Sequence, residues 1–517
     1  MAEPGRFDAV VLGAGPNGLV AALRLARARR RVLVVERRAT AGGLAAAREI
    51  EPGWQAPGIL HDDGRLEPRV VARLRLDRHG LELGPAPAAL IAGPDDPGLL
   101  VDRDPALCRA SIAARSPRDA DAYAAYRAQL SGFAPLLRRV LSSPPPPLDP
   151  HGLGERLELA GLGFALWRLG RGRATELVRT APMCVADFLN ARFETPMLVE
   201  GLAAPAVAAT WAGPWSAGTA TNLLLHECAP GRVVVGGPAR LVAVLEAAAR
   251  EAGVEIRTGT AATGIAIDAD GVAGVELADG ERIGTPLVLA TCHPEHALLD
   301  LVPIGALPLE VEREVANARS RGSAAKLHLA LEGPPPFRAP DGEPVEQLRL
   351  GGGHVDELER AFDALKYGRF SERPYLDVRV PSLSDPGLAP PGGHVVSVLA
   401  SFVPRDIEGG WTAAHRVELV ERILDRLERH APGLRSRLVG WELLTPVDLE
   451  NEYALPGGQL DHVEPALDQL LVMRPGPALA RYATPVRGLW LGGSGSHGGG
   501  LACAAGLLAA ERALATR

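Results

Sequence analysis

Asp8-Ala-Val-Val-Leu-Gly-Ala-Gly-Pro-Asn-Gly18 decides the reading of this chain: an apolar strand runs straight into a Gly-x-Gly-x-x-Gly turn, and a helical pattern follows. Gly13 permits the tight turn, Gly15 lets the backbone approach a pyrophosphate, and Gly18 lets the helix pack close on the strand. The helix N-terminus presents free N–H groups and the positive end of its dipole to the phosphates, which makes Gly13, Gly15, Pro16, Asn17 and Gly18 candidate contacts. A second apolar strand, Arg31 to Val35, ends in Glu36, 18 residues after Gly18. An acid there accepts hydrogen bonds from the adenosine ribose hydroxyls. With 59 glycines in the chain, the motif alone is weak. Strand, turn, helix, second strand and acid in order define a dinucleotide-binding α/β unit.

The rest of the chain must supply at least one further domain, since 517 residues exceed what one core holds. Hydrophobic content of 47% with only 4% aromatics fits an α/β protein with an aliphatic core. A net charge of −7 gives no reason to expect nucleic acid as partner. Cys108, Cys184, Cys228, Cys292 and Cys503 lack any Cys-x-x-Cys spacing and read as reduced, mostly buried thiols. The first strand begins so early that no cleaved signal is expected, and no apolar stretch has the length of a membrane span. The expected location is cytoplasmic. Of 55 basic residues only Lys326 and Lys366 are lysines, an arginine bias that makes a surviving lysine less readily explained as surface charge.

Downstream of Glu36 come Arg37, Arg38, three further residues and the pair Gly42-Gly43, then a Pro/Gly-rich loop from Glu51 to Pro57. This arrangement resembles the first FAD-binding segment of the flavoproteins that include the amine oxidases and carotenoid desaturases. The resemblance makes Glu36, Arg37, Arg38, Gly42 and Gly43 cofactor contacts, with Leu44 where many relatives carry arginine. Val254 to Leu289 alternates as a strand meander with turns at Asp270-Gly271 and Asp279-Gly280. In similar flavoproteins the start of the meander, here Ala262, pairs with adenine through its backbone. A second Gly-x-Gly-x-x-Gly, at Gly493, Gly495 and Gly498, is followed by only 19 residues. It is therefore expected to be the second FAD segment rather than a separate NAD site. Gly493, Ser494 and the start of the last helix, Leu501, Ala502 and Cys503, would then face the ribityl phosphate and flavin. With Gly457-Gly-Gln-Leu-Asp-His462, Leu471-Val-Met-Arg-Pro475 and Thr484-Pro-Val-Arg-Gly-Leu-Trp-Leu491, these segments resemble the phytoene-desaturase-like branch of FAD-dependent oxidoreductases, although Gly498 replaces a usual proline.

The resemblance implies an FAD-binding domain in three pieces, 1–85, 232–300 and 440–517, with a β-meander. An α+β substrate domain would be inserted as 86–231 and 301–439. Its patterns predict helices over 119–140, 154–191 and 412–430 and strands over 325–331, 375–380 and 394–402. The apolar stretch Leu157 to Leu169, followed by Arg171 and Arg173, reads as a helix packed on the domain, with a membrane surface as the alternative.

Lys326 enters a strand after Gly322-Ser323, as does the segment that in monoamine oxidases brings a lysine near flavin N5 through a water. A cation there would favour electron transfer to dioxygen; the alternative is a strand-edge lysine with its head in solvent. His462, in the loop before the last FAD segment, could orient substrate or shuttle a proton, or be a surface residue. His497 is expected to shape the cofactor site, and His226, His293 and His328 to be structural. Cys503 is read as a small packed residue, so FAD is expected to be noncovalent. No metal-ligand spacing or Gly-x-Ser-x-Gly elbow occurs.

The resulting expectation is an FAD-dependent desaturase or dehydrogenase. It would take hydride from an apolar or natural-product-like small molecule and reoxidise with dioxygen or a quinone. A flavin amine oxidase is the first alternative, with Trp211, Trp215 and Trp490 as candidate aromatics, and a non-catalytic flavin-carrying protein the second.

Overall fold

The computed structural model describes residues 6–61, 64–94, 96–102, 104–150, 152–498 and 503–516. Leu501 and Ala502, two of the expected cofactor contacts, lie outside the described residues.

A five-stranded sheet forms the first layer, in the order Leu489–Leu491, Val288–Ala290, Ala9–Leu12, Val32–Val35, Glu255–Arg257. Every pairing is parallel. All four residues of Ala9–Leu12 and of Val32–Val35 are buried, the signature of a sheet covered on both faces. One face carries the first helix, Pro16–Ala26, beside Gly237–Glu251 and the last helix, Ala504–Ala515. The other carries the antiparallel meander Ala262–Asp268, Gly271–Leu277, Arg282–Gly284. Its turn glycines, Gly271 and Gly280, have φ of 109° and 87°, as the Asp-Gly signals require. The start of the predicted meander, 255–257, belongs to the parallel sheet instead.

A second sheet of seven strands is built from both inserted segments. Its order is Leu438–Leu444, Ala324–Glu332, Gly393–Ser401, Tyr375–Arg379, Gln347–Leu350, Ala89–Ala92, Leu99–Val101. Only Gln347–Leu350 with Ala89–Ala92 is parallel. The strand 438–444 spans the expected domain limit at 440 and pairs with Ala324–Glu332.

Period-two alternation gives this sheet two unlike faces. Leu327, Leu329, Leu348, Leu376, Val378, Val396 and Val398 pack against the amphipathic helix Ala413–His430. The alternate positions include Lys326, His328, Arg349, Asp377, Arg379 and Ser397, carried by strands whose rows align in register. A face this polar, inside the protein, must meet partners or ligand.

Over 154–191 the helical pattern is broken into Leu153–Leu169, Arg171–Thr180 and Val185–Asn190, with Gly170 at φ 83° between the first two. The first of these lies on the surface of the domain: Leu153–Leu169 packs beside Pro117–Leu141 but fully buries none of its residues. Leu153, Leu157, Phe164 and Trp167, spaced along one face of that helix, are exposed. On the opposite side Leu159, Leu162 and Leu169 are half-buried, and Leu169 packs against the core of the helical region. No helix among the described residues is long and apolar enough to cross a membrane, and of the five cysteines all but the half-buried Cys292 are buried.

Candidate active site

The glycine turn shows three different reasons for three glycines. Gly13 has φ 98°, and a Cβ there would stand 2.8 Å from Thr291 Oγ1. A Cβ on Gly18 would stand 1.9 Å from the carbonyl oxygen of Gly13, so only glycine lets the helix close on the turn. Gly15 differs: its backbone is ordinary (φ −68°, ψ 173°), and a Cβ would meet no protein atom within 4 Å. The space it keeps open belongs to the cleft. Pro16 occupies the first helical turn, where its missing N–H costs nothing. Asn17 lines the cleft, and its Oδ1 accepts from Gly506 N at 3.1 Å, locking the last helix against the first. Gly42 N donates to Ala14 O at 2.9 Å, and a Cβ on Gly43 would lie 3.4 Å from Gly15 Cα. The second glycine pair thus backs the first turn.

Glu36 ends its strand at the cleft wall. Its Oε2 accepts from Ala14 N at 2.8 Å and its Oε1 from Arg38 N at 2.9 Å, which fixes the carboxylate before any ligand arrives. Thr260 N donates to Glu36 O and Gly259 N to Arg38 O, at 3.0 and 2.7 Å. These bonds bring Thr260, Ala261 and Ala262 to the same end of the cleft as Glu36, Arg37 and Arg38. The Arg38 guanidinium lies 4.0 Å from the Tyr453 ring centroid, and its buried Nη1 has no hydrogen-bond partner among the described residues. Arg37 donates to Glu452 O at 2.8 Å. Arg48 braces the same wall, bonding Tyr453 OH at 2.7 Å and Glu442 through Nε at 2.9 Å.

His293, His462, Leu60, Leu455 and Ser494 also line the cleft. Gly493 permits close approach, since a Cβ would stand 2.4 Å from Thr291 O. The buried Arg474 joins the parts: its Nη2 donates to Asp461 O, Val463 O and Ser494 O at 2.8, 2.9 and 2.9 Å. The loop carrying His462 is thereby pinned to the C-terminal glycine turn. Burial, then the neighbouring His293 and Arg474, lowers the His462 pKa to about 3. Burial likewise lowers His293 to about 4. His293 Nδ1 accepts from Glu295 N at 3.1 Å, so its Nε2 carries the proton toward Ser320 Oγ at 2.9 Å and His462 O at 3.1 Å. Both imidazoles are neutral near pH 7, and His462 is no surface residue. His497 bonds Val140 O at 2.9 Å and ties the glycine turn to the helix Pro117–Leu141. Cys503, at φ 56°, is the buried N-cap of the last helix, packed in the core of the dinucleotide domain.

Beside the cleft, and sharing Leu60 with it, is a cavity of about 140 Å³. Its walls come from Ile59, Leu60, His61 and Arg65, the end of the helix Pro196–Val207, the helix Thr219–Glu227, and Leu460, Asp461 and Pro465. The polar face of the seven-stranded sheet contributes Leu399 and Asp377. Ten of the seventeen lining residues are apolar; His61, Arg65, Thr210, Asn222, His226, Asp377 and Asp461 supply the charge and hydrogen-bonding groups. Lys326 aligns with Leu399, and Leu399 with Asp377, in one row across three strands. Lys326 is 1% exposed and its strand is flanked on both sides, which rules out a solvated strand-edge lysine. None of Trp211, Trp215 and Trp490 lines the cavity; Trp215 is exposed, and Trp490 packs in the dinucleotide-domain core.

The residues fit FAD. Gly15 leaves an open space over a helix N-terminus, Glu36 offers a fixed carboxylate, and the buried Arg38 Nη1 and His462 Nδ1 lack protein partners among the described residues. The Gly13–Gly18 turn would hold the pyrophosphate, Glu36 and Ala262 the adenosine, and Ser494 the part nearest the C-terminal turn. When bound, the flavin supplies a two-electron acceptor for hydride. This chain's residues would fix its position, and the cavity described above lies beside it.

Such a fold and cleft define a flavoprotein oxidoreductase with a dinucleotide-binding domain. Residues 119–514 match the family of flavin containing amine oxidoreductases, and 11–65 match an NAD(P)-binding Rossmann-like domain. The chain belongs to the flavin containing amine oxidoreductase family, and its cofactor is FAD. It is 32% identical to the mouse pyridine nucleotide-disulfide oxidoreductase domain-containing protein 2, over 98% of this chain and 93% of that protein. It is 25% identical to one subunit of the limonene dehydrogenase of Castellaniella defragrans, over 97% and 93%. A solved putrescine oxidase shares the fold, with a TM-score of 0.61, 15% identity and 99% of each chain covered.

Sequence reasoning missed His61, Asp377, Arg474 and Tyr453. His61 follows closely on the Pro/Gly-rich loop that ends at Pro57, and that adjacency is a usable signal. Arg474 lies within the segment Leu471–Pro475 that carries part of the family resemblance, which was a usable signal; Asp377 carries none, because only strand register places it.

Proposed function

We propose that this protein is an FAD-dependent dehydrogenase or desaturase of a compact, largely apolar small molecule, which it holds in the cavity beside Leu60. A substrate C–H gives hydride to flavin N5, and dioxygen or a quinone takes the electrons onward. The observation that carries this reading is the cavity itself. At about 140 Å³ it is smaller than the roughly 300–1,000 Å³ of drug-sized ligand sites, which favours a compact ligand over a C40 polyene. Its aliphatic lining residues, Ile59, Leu60, Leu225, Leu399 and Leu460 among them, suit an apolar body. The similarity to a limonene dehydrogenase supports a compact substrate. The lack of an aromatic residue among those lining the cavity weighs against the amine-oxidase alternative. Lys326, buried on the cavity face, is the residue we assign to promoting flavin reoxidation by dioxygen, and His462 to positioning at the flavin end of the cleft.

Anaerobic flavin bleaching tests the reading with a panel of limonene, geraniol, cyclohexanol, cyclohexylamine, putrescine and phytoene. Reduction by one or more of the compact neutral compounds, and by neither putrescine nor phytoene, is expected. Bleaching by phytoene or putrescine alone overturns the substrate class, and bleaching by none overturns catalysis of this kind.

A further inference from the structure

We propose that His61, held by Asp377, is the base that accepts the substrate proton; this rests on the reading of the cavity as the substrate site. Hydride loss from a C–H leaves a substrate that must also shed a proton from the neighbouring atom if a double bond is to form. His462 is the sequence's candidate for proton transfer, yet it lines the flavin cleft and not the cavity. His61 lines the cavity. Its side chain is only 5% exposed, and neither ring nitrogen has a hydrogen-bond partner among the described residues. A buried imidazole with both nitrogens unsatisfied is costly unless a ligand meets one of them. Asp377 Oδ1 stands 3.7 Å from His61 Nδ1. That carboxylate stands on the Nδ1 side, so the role of proton acceptor falls to Nε2, which is buried without a partner among the described residues.

The charges around His61 suit the role. Lys326 and His328 face it from one strand, and Asp377 and Arg379 from another. Arg349 acts on Asp377 from the next strand, and Arg65, His226 and Asp461 stand around the cavity. Burial above all, then Lys326, lowers the His61 pKa to about 4, against the pull of Asp377. Burial alone would raise the Asp377 pKa; the His61 contact and Arg379 outweigh it and hold the carboxyl below its usual range. At neutral pH the site therefore holds a neutral imidazole beside a carboxylate.

In the step, the substrate C–H bond breaks with its electron pair leaving as hydride to the flavin. The adjacent C–H or heteroatom–H bond breaks with its pair remaining to form the new double bond. That proton goes to His61, giving an imidazolium that Asp377 stabilises. The substrate loses two electrons and the flavin gains them.

The test uses the FAD-loaded protein and the panel compound that reduces wild type fastest. His61→Gln should keep one FAD per chain and the wild-type flavin spectrum. Its anaerobic reduction should slow at least about 100-fold and lose the acid limb of the pH profile. His61→Ala should recover part of the rate with added imidazole. A second readout needs no substrate: in ¹⁵N-histidine-labelled protein His61 should titrate near pH 4, and Asp377→Asn should move that titration lower still. If wild type is reduced and His61→Gln follows within about twofold, the cavity reading stands and the base assignment falls. A His61 titration near its ordinary value, unmoved by Asp377→Asn, also overturns the assignment. If no panel compound reduces wild type, the functional reading is what fails.

Discussion

The flavin cleft and the cavity beside it share Leu60 and are built in opposite ways. The cleft is a backbone device: glycines that permit approach, a helix N-terminus, and a carboxylate fixed by two main-chain N–H groups. The cavity is a side-chain device, with chemistry supplied by residues from a loop, two strands and a helix far apart in sequence. Backbone sites tolerate almost nothing at a few positions and are indifferent elsewhere. Side-chain sites can change their substrate without touching the fold. A family that keeps one cofactor and varies its reaction has that division of labour.

The largest expected effect tests the cleft. Gly15→Val should abolish FAD retention while the chain still folds, because the backbone there is ordinary and the added atoms meet only the space a pyrophosphate would fill. Gly18→Ala should fail to fold, because its Cβ would overlap the Gly13 carbonyl. Flavin absorbance and circular dichroism distinguish the two. A Gly15→Val protein with full flavin absorbance refutes the backbone account.

Lys326→Met sharpens the comparison from the cavity side. Methionine keeps the length and apolar stem of a residue that is 1% exposed, and removes its charge. FAD content should stay unchanged while reoxidation of reduced flavin by dioxygen slows roughly tenfold or more. Stopped-flow traces that match wild type in both half-reactions remove the lysine from the account. Slower reduction with intact reoxidation makes it a substrate contact instead.

How much of this was legible in the chain follows from the same contrast. The dinucleotide unit could be read because its determinants are contiguous: Gly13 to Gly18, then Glu36, then Gly42-Gly43. The strands near 325–331, 375–380 and 394–402 and the helix ending at His430 were also readable, since each carries its own periodicity. Asp377 was not readable as a site residue. It is one polar position in an alternating strand, and only its register against Leu399 and the row from Lys326 places it in the cavity. The extent to which the Leu153–Leu169 helix is covered was not readable for the converse reason. Its pattern predicts an apolar face but cannot say whether anything covers it.

A smaller effect concerns pH. Burial, their largest common cause, lowers His61, His293 and His462 to about 4, 4 and 3. Above the unfolded value of about 6.5 neither state binds the protons, so these groups add no pH dependence there. Below it the unfolded chain is protonated first, so stability falls as pH drops toward the folded values, by at most about 1.4 kcal/mol per pH unit for each histidine. Urea midpoints should be flat from about pH 7 to 8 in this respect and decline from about 6.5 toward 4. Replacing His462 with asparagine should flatten part of that decline, whereas an unchanged slope places its titration elsewhere.

The most direct test of the central claim, that substrate sits in the cavity beside Leu60 and not elsewhere along the cleft, is to fill that cavity. Ala208 lines it and does not line the cleft. Ala208→Leu should therefore retain one FAD per chain, with the apparent affinity for the compact substrate in anaerobic flavin reduction weakened at least roughly tenfold. Reduction by that substrate at the wild-type rate and affinity, with FAD fully bound, would contradict the account.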